Sequence, residues 1–144
     1  MLAGDAMAND GPGDFDDAVA FVRACHVGHE AAVRLLLAEG LSPSSADVDG
    51  NPALCLASGA GQSGVVRTLL DARASTEDTT AEGQTALALA SMRGRREVLR
   101  ELLAARADVE AAGAEGLRPL MLAARYNQPH AVSTLLSGSA SVNA

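Results

Sequence analysis

Residues Gly83–Ala111 read GQTALALASMRGRREVLRELLAARADVEA: a turn, a short helix, a glycine break, a second helix and an extended exit. Thr85-Ala86-Leu87-Ala88-Leu89-Ala90 is a short alanine-rich helix former, and Gly94 stops it. Beyond Gly94, Val98, Leu99, Leu102 and Leu103 recur at i, i+1, i+4 and i+5, which paints one apolar stripe along a helix. Two helices of about two to three turns cannot close a core by themselves. The unit needs neighbours that look like it.

The chain supplies them. A shift of 33 residues places Gly50, Gly83 and Gly116 in register. Leu54, Leu87 and Leu120 align, with Phe21 in the first copy, and Ala24, Ala57, Ala90 and Ala123 align in all copies. Gly28, Gly61 and Gly94 align with Asn127; Leu36, Leu69, Leu102 and Leu135 align, as do Leu37, Leu70, Leu103 and Leu136. No insertion or deletion breaks the register. Alanine at a helix crossing permits close approach, and the leucine pairs fill the layer between one unit and the next. Gly or Asn between the helices suits a left-handed helix terminus. Pro129 falls at the start of the last second helix, where its missing donor costs nothing.

The totals agree with thin helical layers. Of 144 residues, 48% are apolar but only 2% aromatic, so the core is built from Leu, Val and Ala. The formal charge of −7 argues against nucleic acid or an anionic membrane as partner. Two cysteines, Cys25 and Cys55, make no disulfide framework. No run reaches the roughly eighteen apolar residues of a membrane span, and no secretory signal is evident. The expectation is an intracellular, cytoplasmic protein. Residues 1–13 lack periodicity and read as a disordered leader; 14–144 read as one domain of four repeats, about 14–46, 47–79, 80–112 and 113–144.

A 33-residue period with Gly-x-Thr-x-Leu and Gly-x-x-x-Val-x-x-x-Leu-Leu signals resembles the ankyrin repeat. The motifs that carry the resemblance are Gly83-Gln84-Thr85-Ala86-Leu87, Val98 with Leu102-Leu103, and the exits Ala107–Ala111 and Ala140–Ala144. It implies an all-α solenoid of stacked antiparallel helix pairs with projecting hairpin loops, and a concave surface made of loop tips and first helices. The chain departs from the family's Thr-Pro-Leu-His, having Pro52-Ala53-Leu54-Cys55, Thr85-Ala86-Leu87-Ala88 and Arg118-Pro119-Leu120-Met121 instead. The glycine after the second helix is kept as Gly40 but becomes Arg73, Arg106 and Ser139. A non-glycine residue held left-handed there costs roughly 1 kcal/mol. The first copy has Asp17 in place of the turn glycine, so it enters directly as helix. The last copy keeps Val132, Leu135 and Leu136 where a terminal repeat would present a polar face.

Cys25-His26-Val27-Gly28-His29 invites a metal reading, but Cys25 occupies the small packed position of Ser58, Ser91 and Ala124. Ligands for a structural zinc are too few, since His130 and Cys55 lie in other repeats. Cys25 and His26 are helix neighbours pointing roughly 100° apart, which does not suit a nucleophile and its base. No phosphate-binding loop is present, so no catalytic residue, cofactor or metal is assigned.

What remains is periodic surface chemistry. Asp16, Asp49, Glu82 and Glu115 recur just before the turn and are expected to form an acidic row along the loop tips. Turn chemistry is the first explanation of the row, and it accounts for the aspartates better than for the glutamates. The family's variable contact positions fall on Val48, Asn51, Ala81, Gln84, Ala114 and Leu117 at the tips. On the first helices they fall on His26, Val27, Gly59, Ala60, Met92, Arg93, Arg125 and Tyr126. Gly59-Ala60 is expected to be a shallow part of the groove. Asp49, Glu82, Gln84, Met92, Arg93, Glu115, Leu117, Arg125 and Tyr126 are the expected partner-binding residues, with Met92, Arg93, Arg125 and Tyr126 as the hot spot. The expected function is a non-catalytic protein-binding module for a partner with a basic surface. The alternatives are a structural subunit associating through its C-terminal repeat, and an ankyrin-type enzyme inhibitor.

Overall fold

The computed structural model describes residues 15–113 and 115–143, with side chains over 17–113 and 115–138. The expected leader, residues 1–13, lies outside them. The described residues form eight helices in four pairs and no strands: α1 Phe15–Val27, α2 Glu30–Ala38, α3 Ala53–Ala60, α4 Ser63–Asp71, α5 Ala86–Arg93, α6 Arg96–Ala104, α7 Pro119–Arg125 and α8 Pro129–Asn143. First helices pack on first helices, α1 on α3, α3 on α5 and α5 on α7, and second helices stack likewise from α2 to α8. The fold is the all-α solenoid that the resemblance implies.

The register explains the packing. Ala57, Ala90 and Ala123 are fully buried at the helix crossings, while Ala24, with no described helix pair before it, is only partly so. Leu69, Leu99 and Leu102 are completely buried between neighbouring pairs. Each such leucine contributes about 1.5–3 kcal/mol by leaving water, and in the near absence of aromatics these layers are the core.

Two turns repeat within each unit. After the first helix, Gly28, Gly61, Gly94 and Asn127 all have positive φ, at 85°, 79°, 67° and 56°. The amide that follows bonds back over the helix end: Gln62 donates to the Ala57 carbonyl at 2.9 Å, Arg95 to Ala90 at 2.9 Å and Gln128 to Ala123 at 2.8 Å. After the second helix Gly40, Arg73 and Arg106 are left-handed, at 103°, 73° and 65°, as the register requires. Two of these three positions thus carry a side chain where glycine is preferred.

Two expectations are corrected. Ser139 does not continue the left-handed series, because α8 runs on to Asn143 and the exit expected at Ala140–Ala144 is helical as far as it is described. Serine at a left-handed position costs about 1 kcal/mol, whereas staying helical avoids that cost. Of the degenerate Thr-Pro-Leu-His segments only Thr85 still caps its helix, its Oγ1 accepting the Ala88 amide at 3.1 Å; Pro52 and Arg118 make no side-chain cap.

The hairpin tips project between the pairs. Single antiparallel bridges, Ala46 to Pro52 and Thr79 to Thr85, pinch the bases of the second and third tips. They stand beside the first helices, and the two together make the face that the resemblance implies is concave.

Candidate functional site

The tips are built by residues two places before the acidic row. Asp47 Oδ1 accepts the amides of Asp49 and Asn51, both at 2.9 Å, and Thr80 Oγ1 accepts the Gln84 amide at 3.2 Å. The turn work therefore falls on Asp47 and Thr80. Asp49 and Glu82 are exposed, and neither carboxylate accepts a hydrogen bond among the described residues. Asp16 leaves the row: without a turn glycine in the first copy it lies inside α1, so the row of loop tips has three members, Asp49, Glu82 and Glu115.

Not all of the expected contact residues are free to meet a partner. Asn51 ties adjacent tips together, its Oδ1 accepting the Ala81 amide at 3.2 Å. Gln84 is half-buried and wedged against Gly113 of the next repeat, with Oε1 buried and unpartnered among the described residues. Glu115 and Arg125 neutralise each other at 3.1 Å. Met92 is half-buried and gives its carbonyl to Gln128 Nε2 at 3.0 Å. Leu117 is half-buried, with its carbonyl accepting the Gly113 amide. Val48, Val27 and Tyr126 are exposed; Ala114 lies outside the described residues.

The concave face holds a cleft of about 280 Å³ across the second and third repeats. Leu56, Leu89, Gly59, His26 and Arg93 line it on the helix side, with Glu82 on the tip side. It adjoins a second hollow of about 220 Å³ lined by Val19, Arg23, Val48 and, in common with the first, His26 and Leu56. Gly59, expected to be a shallow stretch, helps to open this cleft. A Cβ there would sit 3.8 Å from both the Leu89 Cβ and Arg93 Nη1, so the missing side chain leaves usable space between them. Of the expected partner-binding residues, Glu82 and Arg93 line the cleft together; Arg125, Tyr126, Leu117 and Glu115 do not.

Leu56, Leu89, Val19 and Arg23 were not anticipated in this role. Leucines at 56 and 89 look like core residues in a helical pattern, and only their half-buried state sets them apart. Their 33-residue spacing, one place beyond Cys55 and Ala88, was the signal that could have found them.

The convex side differs. A larger groove of about 540 Å³ along α2, α4 and α6 is lined by charges that pair with one another, Arg67 with Glu101 at 2.8 Å and Arg34 with Glu30 at 3.0 Å. Arg93, by contrast, has no ion-pair partner among the described residues.

Neither cysteine is exposed, although Cys55 lies in the wall of the cleft. Cys25 and Cys55 are buried, and burial pushes both thiols up to about 12, with Asp78 adding to the effect at Cys55. Cys55 Sγ instead faces the carbonyls of Asp78 and Gln84 at 3.6 and 3.8 Å. His26 and His29 lie exposed while Cys25 points into the core, so the Cys-His cluster of the sequence does not converge.

A family model described as ankyrin repeats (3 copies) matches residues 72–144, just over half of the chain. The chain belongs to the ankyrin-repeat family. The ankyrin geometry continues N-terminally of that match, where α1–α4 form helix pairs of the same kind and register. Ankyrin repeats generally bind other proteins and are generally not enzymes. A search of curated proteins finds no match to the chain. No helix among the described residues is long and apolar enough to cross a membrane.

Proposed function

We propose that this ankyrin domain is a non-catalytic scaffold whose protein partner docks along the concave face. The observation that carries the proposal is the cleft over Gly59, which brings together an apolar floor at Leu56 and Leu89 with Arg93 and Glu82, both unpaired among the described residues. An extended segment bearing an apolar side chain next to a basic one fits this chemistry. The apolar group rests between Leu56 and Leu89, and the basic group meets Glu82 with Asp49 nearby in the same row. Arg93 donates charge-assisted hydrogen bonds to the partner's backbone carbonyls or carboxylates. Tyr126, 48% exposed one repeat further along, supplies an aromatic contact beyond the cleft. The acidic tips steer a basic partner toward the groove. A reducing, cytoplasmic setting suits the two free thiols.

The test is a binding series on a partner captured with the intact chain. Arg93→Ala and Tyr126→Ala should each weaken binding about tenfold or more, the usual scale for an anchor residue. Arg67→Ala, on the convex side, should change it by less than about threefold. Equal losses for Arg67→Ala and Arg93→Ala would move the interface off the concave face.

A further inference from the structure

At equivalent repeat positions, burial among the described residues differs between the two ends of the stack and its interior. At the N-terminal end Ala20 is exposed where Ala53, Ala86 and Pro119 are buried. Leu35, 62% exposed, stands where the other copies have the half-buried Thr68, Glu101 and Thr134. At the C-terminal end Leu120 is 39% exposed where Leu87 is 1%, and Leu136 is 54% exposed where Leu103 is 8%. Met121 and Ala124 are likewise open where Ala88 and Ser91 are buried. Val109 and Leu135 join Leu120 and Met121 in a cleft of about 220 Å³ there. Terminal repeats normally turn a polar face outward. Among the described residues both ends carry exposed apolar side chains.

We infer that the two faces bind each other: the C-terminal face of one copy receives the N-terminal face of a second copy, and the solenoid continues head to tail. Continuity with the internal junctions argues for this occupant. In each of those, small residues on the following first helix, Ala53 and Ala57 or Ala86 and Ala90, are buried against the bulkier preceding one. Ala20 and Ala24 repeat the small side, and Leu120 and Met121 repeat the bulky side.

A cross-repeat hydrogen bond supports the same junction. The residue after each inter-helix turn reaches back to a carbonyl of the preceding pair: Gln62 Nε2 to His26 at 3.2 Å, Arg95 Nε to Gly59 at 3.0 Å and Gln128 Nε2 to Met92 at 3.0 Å. In the first repeat that residue is His29, a donor with no described pair before it, and in the last repeat the matching carbonyl belongs to Arg125. The four copies follow one another at 33 residues throughout, so a following molecule's His29 falls in step with Arg125. The Arg118–Glu110 pair at 2.7 Å neutralises both charges at the rim of the C-terminal cleft.

One feature makes this junction looser than the internal ones. Gly28, Gly61 and Gly94 leave room for the reaching side chains of Gln62, Arg95 and Gln128, and a Cβ at any of them would crowd that side chain. In the last repeat Asn127 fills this notch. The association is therefore reversible and concentration-dependent. Because unlike faces meet, it forms open chains rather than a closed pair.

Sedimentation velocity on the full chain tests this, with folding checked by circular dichroism. The wild type should show an average mass that rises with concentration. Leu35→Glu and Leu136→Glu replace exposed side chains and should fold normally, yet each alone should be monomeric. Mixed in equal amounts they should give a one-to-one dimer and nothing larger, because one intact face of each kind remains. Asn127→Gly keeps the left-handed turn, opens the notch and should shift association to lower concentration. Arg93→Ala should leave the mass curve unchanged, which separates this contact from the concave site. A wild type that is monomeric throughout, a single charged variant that still associates, or a mixture that stays monomeric would each overturn the head-to-tail contact. An Asn127→Gly chain with no shift would overturn the role given to the notch.

Discussion

The third and fourth repeats carry nearly the same leucine pattern, yet their leucines live in different surroundings. Leu87 and Leu103 are covered; Leu120 and Leu136, at the same positions one repeat later, are largely open. In a solenoid a residue's burial is set by the neighbouring repeat as much as by its own helix. The same difference separates Ala53 from Ala20 at the other end.

The largest consequence lies in the leucine layers. Leu102→Ala removes a completely buried side chain between two pairs and should cost about 2–5 kcal/mol. Leu136→Ala, the neighbouring leucine position in the open repeat, should cost less than about 1 kcal/mol in the monomer. Urea titrations of both variants at low protein concentration would measure the contrast, and similar losses would mean that the last repeat is covered after all.

The buried thiols extend the comparison to pH, since both stand at covered positions whose fourth-repeat counterparts are the open Met121 and Ala124. In the folded chain Cys25 and Cys55 hold their protons up to about 12, against 9.0 for an ordinary thiol. Unfolding above pH 9 releases protons that the native state retains, so this contribution is present below about pH 9 and is lost as the pH rises toward 12. Denaturation midpoints should fall between about pH 8 and about pH 11, more steeply for the wild type than for a Cys25→Ala/Cys55→Ala chain. Parallel slopes would place the alkaline sensitivity elsewhere.

A smaller effect belongs to the strained turns. Arg106 holds φ at 65° where Gly40 does the same work in the first repeat. Arg106→Gly should raise stability by about 0.5–1 kcal/mol, the relief of the left-handed side chain less the added freedom of the unfolded glycine. A midpoint that is unchanged or lower would mean that the Arg106 side chain stabilises the turn.

Much of the fold was legible in the sequence because repetition makes each position speak several times. Gly28, Gly61, Gly94 and Asn127 marked the inter-helix turns, and Arg73 and Arg106 were legible as left-handed from the place of Gly40. Ser139 misled, because a register position does not force its conformation where the chain can stay helical. The surface was read less well. Gln84, Asn51 and Met92 occupy contact positions but are spent on neighbouring repeats, through hydrogen bonds or wedging between tips that no single-repeat pattern encodes. The cleft depended on the side chain missing at Gly59 and on the half-exposure of Leu56 and Leu89, both products of how successive first helices are spaced.

That cleft offers the most direct measurement. Gly59→Leu adds a helix-favouring residue whose first carbon is admitted without a clash, at 3.8 Å from its nearest neighbours, and whose branch should extend into the cleft that Gly59 lines. Stability should hold or rise, by up to about 0.8 kcal/mol from helix propensity. Affinity for the captured partner, measured by calorimetry on the same preparation, should fall about tenfold or more if the concave cleft is where the partner sits. A chain that is equally or more stable and binds as tightly as the wild type would contradict the concave-face account.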